Sequence, residues 1–204
     1  MAEQIFPTKG NLIKAKRSLK QARMGYELMD RKRNILIREM VQLTDSAKAL
    51  RESIDDTYSA AYSALQRANI SMGLVSDIAE SFPVDDSLSL SVRSVMGVEL
   101  PKLVSEKREP NMCYSMTRTN SSFDAAYISF TRAKELTVQL AEIENSIYRL
   151  AIAIKKTQKR ANALKNIMIP KFDSMVRFIT NALEEKEREE FSRQKVIKRA
   201  KLKK

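Results

Sequence analysis

The sequence predicts an all-α fold: a long antiparallel two-helix coiled coil from the N- and C-terminal segments, with a small middle segment containing a short β-hairpin. Three observations carry this. A heptad stripe runs near each end, helix breakers are almost absent from both stripes, and a short stretch between them alternates with period two.

The first stripe steps by three and four through Leu12, Ala15, Leu19, Ala22, Tyr26, Met29, Arg33, Leu36, Met40, Leu43, Ala47, Leu50 and Ile54, with Arg33 its one polar member. The second steps from Leu136 through Leu140, Ile143, Ile147, Leu150, Ile154, Thr157, Ala161, Leu164, Met168, Lys171, Met175, Phe178 and Ala182, with Thr157 and Lys171 polar. A period of 3.5 residues keeps a narrow apolar seam on one partner helix, and left-handed supercoiling follows. Both stripes belong to one chain joined by a long middle segment. The simplest pairing is therefore antiparallel, with both termini at one end. Arg33, Thr157 and Lys171 then either fix register, meet a third element, or snorkel out of the seam.

The N-terminal segment, residues 1–73, is expected to start its helix after Pro7 with Thr8 or Asn11 as cap and to end near Asn69 or Gly73. Roughly 60 helical residues span about 90 Å. The C-terminal segment, residues 121–204, opens on Ser121 and Asp124 at capping-box spacing, runs to about Lys195 and ends in a basic tail. Pro170 lies inside the second stripe and predicts a bend; the stride resumes in phase at Met175 and Phe178, so the helix is expected to continue.

In the middle segment, residues 74–120, Ser87-Leu88-Ser89-Leu90-Ser91-Val92 alternates, and Val98-Glu99-Leu100 ends at Pro101. A hairpin over about residues 87–101, turning near Gly97, is the reading. A lone two-stranded hairpin is marginal in water, so this one should lean on the helices or on a partner. Residues 106–109 and 111–120 are mostly polar and are expected to be mobile.

Composition narrows the function. The chain has no His and no Trp, and one cysteine, Cys113. That removes His-based acid–base chemistry, most zinc sites and any internal disulfide, and a lone thiol suits a reducing compartment. Four glycines cannot assemble either phosphate-cradling glycine motif. Acid pairs such as Glu142 and Glu144, and the run from Glu184 to Glu190, read as solvated helix faces. No metal, cofactor or catalytic residue is expected. The first residues, Met1 to Ile5, lack the pattern of a secretory leader, and the densest apolar run, Leu150 to Ile154, is five residues.

Net charge is +12, and it is uneven. Residues 9–39 hold ten Lys or Arg against Glu27, Asp30 and Glu39, while residues 193–204 hold seven and no acid. In an antiparallel pairing both tracts share one end, which should seek an acidic or polar surface. Two alternatives to a protein partner are nucleic acid and an anionic membrane surface. The first lacks a reader module or aromatic stacking platform, and the second lacks a spare apolar face, since the seam uses most apolar residues.

The stretch Pro7-Thr8-Lys9-Gly10-Asn11-Leu12, followed by Lys16, Leu19, Ala22, Gly25, Leu28, Asp30, Lys32 and Arg33, resembles the opening of the D subunit of the vacuolar (V-type) and archaeal (A-type) rotary ATPases, found also in bacteria. Val95 to Pro101, Arg160-Ala161-Asn162-Ala163-Leu164 through Ile169-Pro170, and Glu187-Arg188-Glu189-Glu190-Phe191 agree in the same order across the chain. Lys165 departs from an expected acid and Ala15 from an expected Leu. The resemblance implies a non-catalytic central-stalk shaft, cytoplasmic and peripheral to the membrane, that couples ATP hydrolysis or synthesis to proton or sodium transport. It implies as partners the A and B subunits of the catalytic hexamer, the F subunit of the central stalk, and the membrane-side adaptor of the C/d type, with no nucleic acid. On that implication Lys9, Lys16, Arg23, Arg33, Arg160, Asn162, Arg188, Arg193, Lys195 and Lys198 contact the hexamer. Val92, Met96, Gly97, Val98 and Leu100 form a hairpin with a regulatory role.

Overall fold

The computed structural model describes residues 6–80, 82, 88–105, 114 and 119–202. The expectations placed on Ser87, Cys113, residues 106–109, most of 111–120, Lys203 and Lys204 lie outside these residues. The elements are α1 (Lys9–Met72), α2 (Ser76–Ala79), β1 (Leu88–Val95), β2 (Val98–Ser105), α3 (Ser121–Ala163), a π-helical turn (Leu164–Met168) and α4 (Ile169–Leu202). The fold is all-α apart from one two-stranded antiparallel hairpin.

The chain forms two compact units. One comprises residues 1–34 with 155–204, and the other residues 35–154. Within the first, α1 lies antiparallel to the C-terminal helical run: Lys9 pairs with Glu187 at 3.3 Å and Arg23 with Asp173 at 3.6 Å. Within the second, α1 lies antiparallel to α3: Arg51 pairs with Glu144 at 2.5 Å and the Tyr58 hydroxyl meets Thr137 Oγ1 at 3.0 Å.

α1 starts where Thr8 Oγ1 accepts the Asn11 N–H at 3.2 Å, while the Asn11 side chain donates back to the Phe6 carbonyl at 2.9 Å. These two bonds satisfy groups that a helix start otherwise leaves orphaned. It ends at Gly73, whose φ of +84° is the left-handed conformation that only glycine adopts freely. Along α1 the stripe faces inward: Ala15, Ala22, Leu36, Ala47 and Ile54 are buried, and Ala61 and Ala68 extend the same stride. α3 is capped by Asn120, not by Ser121: its Oδ1 accepts the N–H groups of Ser122 and Phe123, each at 3.1 Å. Ser121 is instead the first residue of the helix. The C-terminal run also outlasts the expected end at Lys195 and reaches Leu202.

The in-phase continuation past Pro170 is overturned. Up to Leu164 the second stripe keeps its register, with Leu150, Thr157 and Ala161 buried. Beyond it Ile179 is fully buried, whereas Phe178 is 59% exposed and Lys171 lies on the surface. The inward positions are Leu164, Ile169, Phe172, Val176, Ile179 and Leu183. The step from Leu164 to Ile169 is five residues, because a π-helical turn holds one residue more than an α-turn. Pro170 follows directly, where its missing N–H and bulky ring are accommodated by the widened turn. Lys171 is therefore not a seam residue.

The hairpin turns through Met96 and Gly97, with φ of 51° and 74°, the pair of positive values that a two-residue type I′ loop requires. It runs to Ser105, past the expected end at Pro101. The register pairs Val95 with Val98 and Val92 with Pro101. Residues of the same parity as Pro101 direct their backbone away from β1: the Leu103 N–H donates to Glu142 and the Glu99 carbonyl accepts from Arg149. Pro101 thus stands where no N–H is needed for the ladder, so the strand continues through it.

Candidate functional site

The sequence candidates separate cleanly between the two units. Lys9, Lys16, Arg23, Arg33, Arg160, Asn162, Arg188, Arg193, Lys195 and Lys198 all lie in the unit built from both chain ends, and all but the half-buried Arg33 are exposed. That unit holds 25 of the 37 Lys and Arg residues but only 9 of the 25 Asp and Glu, a net charge of +16. The other unit carries −4. A charge of that size on one body attracts acidic surfaces over a screening length of about 8–10 Å at ordinary salt.

Much of this charge is held loosely. Arg33 reaches Asp30 on its own helix at 2.6 Å, Arg188 reaches Glu185 at 3.8 Å and Arg193 reaches Glu189 at 3.9 Å. Such exposed pairs contribute little, about 0–1 kcal/mol each, and leave the cations free to exchange partners. The Lys195 ammonium sits 4.9 Å from the Phe191 ring centroid. The Lys165 ammonium, the residue that departs from the family pattern, lies 5.8 Å over the Tyr26 ring, a cation–π contact that an acid would not make. Beneath this surface the apolar residues are spent in the seam: Ala15, Ala22, Ala161 and Ile179 are buried between the helices.

The second candidate group is the hairpin. Leu100, 2% exposed, enters a core cluster with Leu36 and Leu150, and Val95 and Val98 pack against it. Leu100 and Val98 are therefore anchors, while Val92 (60%) and Met96 (46%) face outward. Three polar tethers supplement the anchor. Arg93 pairs with Glu39 of α1, the Glu142 carboxylate accepts the Leu103 N–H at 2.9 Å, and Arg149 donates to the Glu99 carbonyl at 3.2 Å. Sequence reasoning missed these four side chains. Each is an ordinary charged residue on a helix face or strand, and no local spacing marks it.

At the end of the second unit Phe82, Tyr114, Phe123 and Tyr127 form an aromatic cluster, with Tyr114 edge-on to Phe123 at 4.9 Å. Burial, together with its 2.6 Å hydrogen bond to Asp124, pushes the Tyr114 phenol up to about 12. Among the described residues no group of His, Cys, Asp and Glu is placed to hold a metal ion, and no helix is long and apolar enough to cross a membrane.

Residues 11–199 match the family model described as the D subunit of ATP synthase. The V-type ATP synthase D subunit of Thermotoga neapolitana is 42% identical over 196 residues, covering 95% of this chain and 97% of that protein. The A-type ATP synthase D subunit of Thermococcus sibiricus is 35% identical over 200 residues, and that of Pyrococcus horikoshii 34%; each comparison covers 96% of this chain and 94% of the relative.

Proposed function

The chain belongs to the D-subunit family of ATP synthases, and from that premise we propose that it is the central rotor shaft of a V/A-type ATPase. It passes torque between an ATP-hydrolysing hexamer of A and B subunits and a membrane ring that moves ions, and contributes no catalytic residue itself. The observation that carries the reading is the partition of charge, +16 on the unit holding both chain ends and −4 on the other. A shaft turning inside a hexamer must slide past successive similar faces. Long, exposed Lys and Arg side chains adapt to each face, while the paired seam beneath resists twisting.

On this reading the basic unit is gripped by the hexamer, and the hairpin unit faces the F subunit and the membrane-side adaptor. The protein then works on the cytoplasmic side, peripheral to the membrane. The outward hairpin residues Val92 and Met96 touch a neighbour and modulate hydrolysis, with Leu100 setting their position.

The test is a triple variant, Arg160→Ala with Lys195→Ala and Lys198→Ala, in the assembled complex. Loss of grip appears as ATP hydrolysis that continues while ion transport per ATP falls. Undiminished coupling in that variant would reject the grip. Co-purification of the tagged chain with A, B and F subunits tests the assembly, and its absence from such complexes would reject the shaft. A basic coil acting on nucleic acid would instead bind duplex tightly in isolation and lose about 10³–10⁵ in affinity between 50 and 200 mM salt.

A further inference from the structure

The C-terminal helix carries two apolar stripes, and the fold uses only one. The inward set is Ile169, Phe172, Val176, Ile179 and Leu183. One residue ahead of each lies the second set: Met168, Lys171, Met175, Phe178 and Ala182. Met168 is 37% exposed and Phe178 59%. The second set continues the strict heptad of α3, stepping 4, 3, 4, 3, 4 from Leu164. What separates the two is the single extra residue of the π-helical turn at Leu164–Met168.

We propose that α4 has two seating registers on α1, interconverted by opening and closing this π-turn. In the open state, the one seen here, the turn holds its extra residue and Ile179 is buried. When the turn closes to α-helix, every residue after it rotates by about 100° and shifts about 1.5 Å along the axis. The second stripe then meets α1, burying Met168 and Phe178 and exposing Phe172 and Ile179.

The balance between the states follows from the residues. The open register seats five apolar side chains, whereas the closed one must bring Lys171 to the seam, where it can only snorkel. Pro170 opposes closure as well: in a regular α-turn its ring crowds the Asn166 carbonyl, and it offers no N–H in return. The closed register gains a burial site for Phe178 and an unbroken α backbone. The contacts that must yield are the exposed pairs Arg23–Asp173 and Lys9–Glu187, each weak. The contacts before the turn stay, since Lys165 lies over Tyr26 and Leu164 Cδ1 lies beside Gly25.

The proposal rests on the fold of this one unit and does not require the shaft reading. Under that reading, the switch lets the gripped basic segment turn about its own axis when loaded. A failure of coupling in the assembled complex and a failure of register exchange in the isolated chain are separate results.

Hydroxyl-radical footprinting of the full chain reads the registers at two natural residues of equal reactivity, Phe172 and Phe178, with Tyr26 as the internal reference. Wild type should oxidise faster at Phe178. Pro170→Ala lowers the barrier to closure and should change the pair reciprocally, at least twofold up at Phe172 and twofold down at Phe178, with Tyr26 unchanged. A change of both in the same direction, or of neither, overturns the proposal. Deletion of Ile167 supplies the second arm. It removes the extra residue while keeping the present stripe on α1, so the wild-type footprint and a melting midpoint no lower than wild type are expected. A lower midpoint, or oxidation shifted to Phe172, would show that the stripes are not interchangeable by one residue.

Discussion

Replacing Leu100 by Ala tests how the hairpin is held. Its side chain is 2% exposed against Leu36 and Leu150, and truncating a fully buried leucine costs about 2–5 kcal/mol, depending on how far the site collapses. The polar tethers are weaker one by one. The Arg93–Glu39 pair has side-chain exposures of 56% and 24%, which puts it near the surface median of about 0–1 kcal/mol. The Leu103 N–H bond to the Glu142 carboxylate is charge-assisted and part-buried, in the class of about 1.5–3 kcal/mol. With an intrinsically marginal pair of strands, the leucine is the largest single term. Leu100→Ala should therefore lower the opening free energy of the hairpin by about 3 kcal/mol, on the order of a hundredfold in amide exchange. Exchange of the cross-strand amides should accelerate by that factor while amides of α1 near Ala61 change little. Hairpin protection within about threefold of wild type, or an equal effect from Arg93→Ala, would refute the ranking.

Three further outcomes follow from single sites. Gly97→Ala, at φ +74°, should destabilise the hairpin by about 1–2 kcal/mol, whereas Met96→Asn should strengthen it because Asn tolerates the φ of 51° there; hairpin amide exchange measures both. Asn120→Ala should cost about 0.5–2 kcal/mol by denaturant unfolding through loss of the α3 cap, and Ser121→Ala much less. Tyr114 holds its proton more tightly when folded, with its ordinary value of 10.0 raised to about 12. Its contribution is thus fully present below pH 10 and is lost as pH rises toward 12; tyrosinate absorbance followed alongside helical circular dichroism should show this, and Tyr114→Phe should remove it.

The first stripe was fully legible because nothing interrupts α1 from Leu12 to Ile54, so period and burial coincide. The second was legible only to Leu164. Beyond it two apolar stripes offset by one residue compete, and the sequence favours the in-phase one, Met175 and Phe178, because an inserted residue in a helix has no composition of its own. Pro170 marked the place but was read as a bend. The hairpin was visible in the alternation and in Gly97, yet its length was misjudged at Pro101, since whether a strand proline needs a donor depends on register. Asn120 was passed over as a cap because the Ser121 and Asp124 spacing suggested a start one residue later. Glu39, Arg93, Glu142 and Arg149 meet their partners across 39 to 54 residues of sequence, beyond any local pattern.

The composition of the seam explains why a one-residue register shift is tolerable in one unit and not in the other. In the hairpin unit the large, fully buried side chains are Leu36 and Leu150, and both are locked by Leu100 entering from a third element. A helix rotated there by one residue would lose a contact that cannot follow it, so the register is fixed by three partners at once. In the basic unit the buried set is Ala15, Ala22, Ala161 and Ile179, and Ile179 is its one large member. Small alanines on α1 present a shallow surface with no deep hole that only one knob fits, so the discrimination between two apolar stripes falls to Ile179, Lys171 and the π-turn alone. The charge follows the same division: +16 sits on the unit whose helix can turn, and −4 on the unit whose helices are pinned. Rigidity is thus supplied where the hairpin is anchored, and adaptability where the exposed cations must meet changing surfaces.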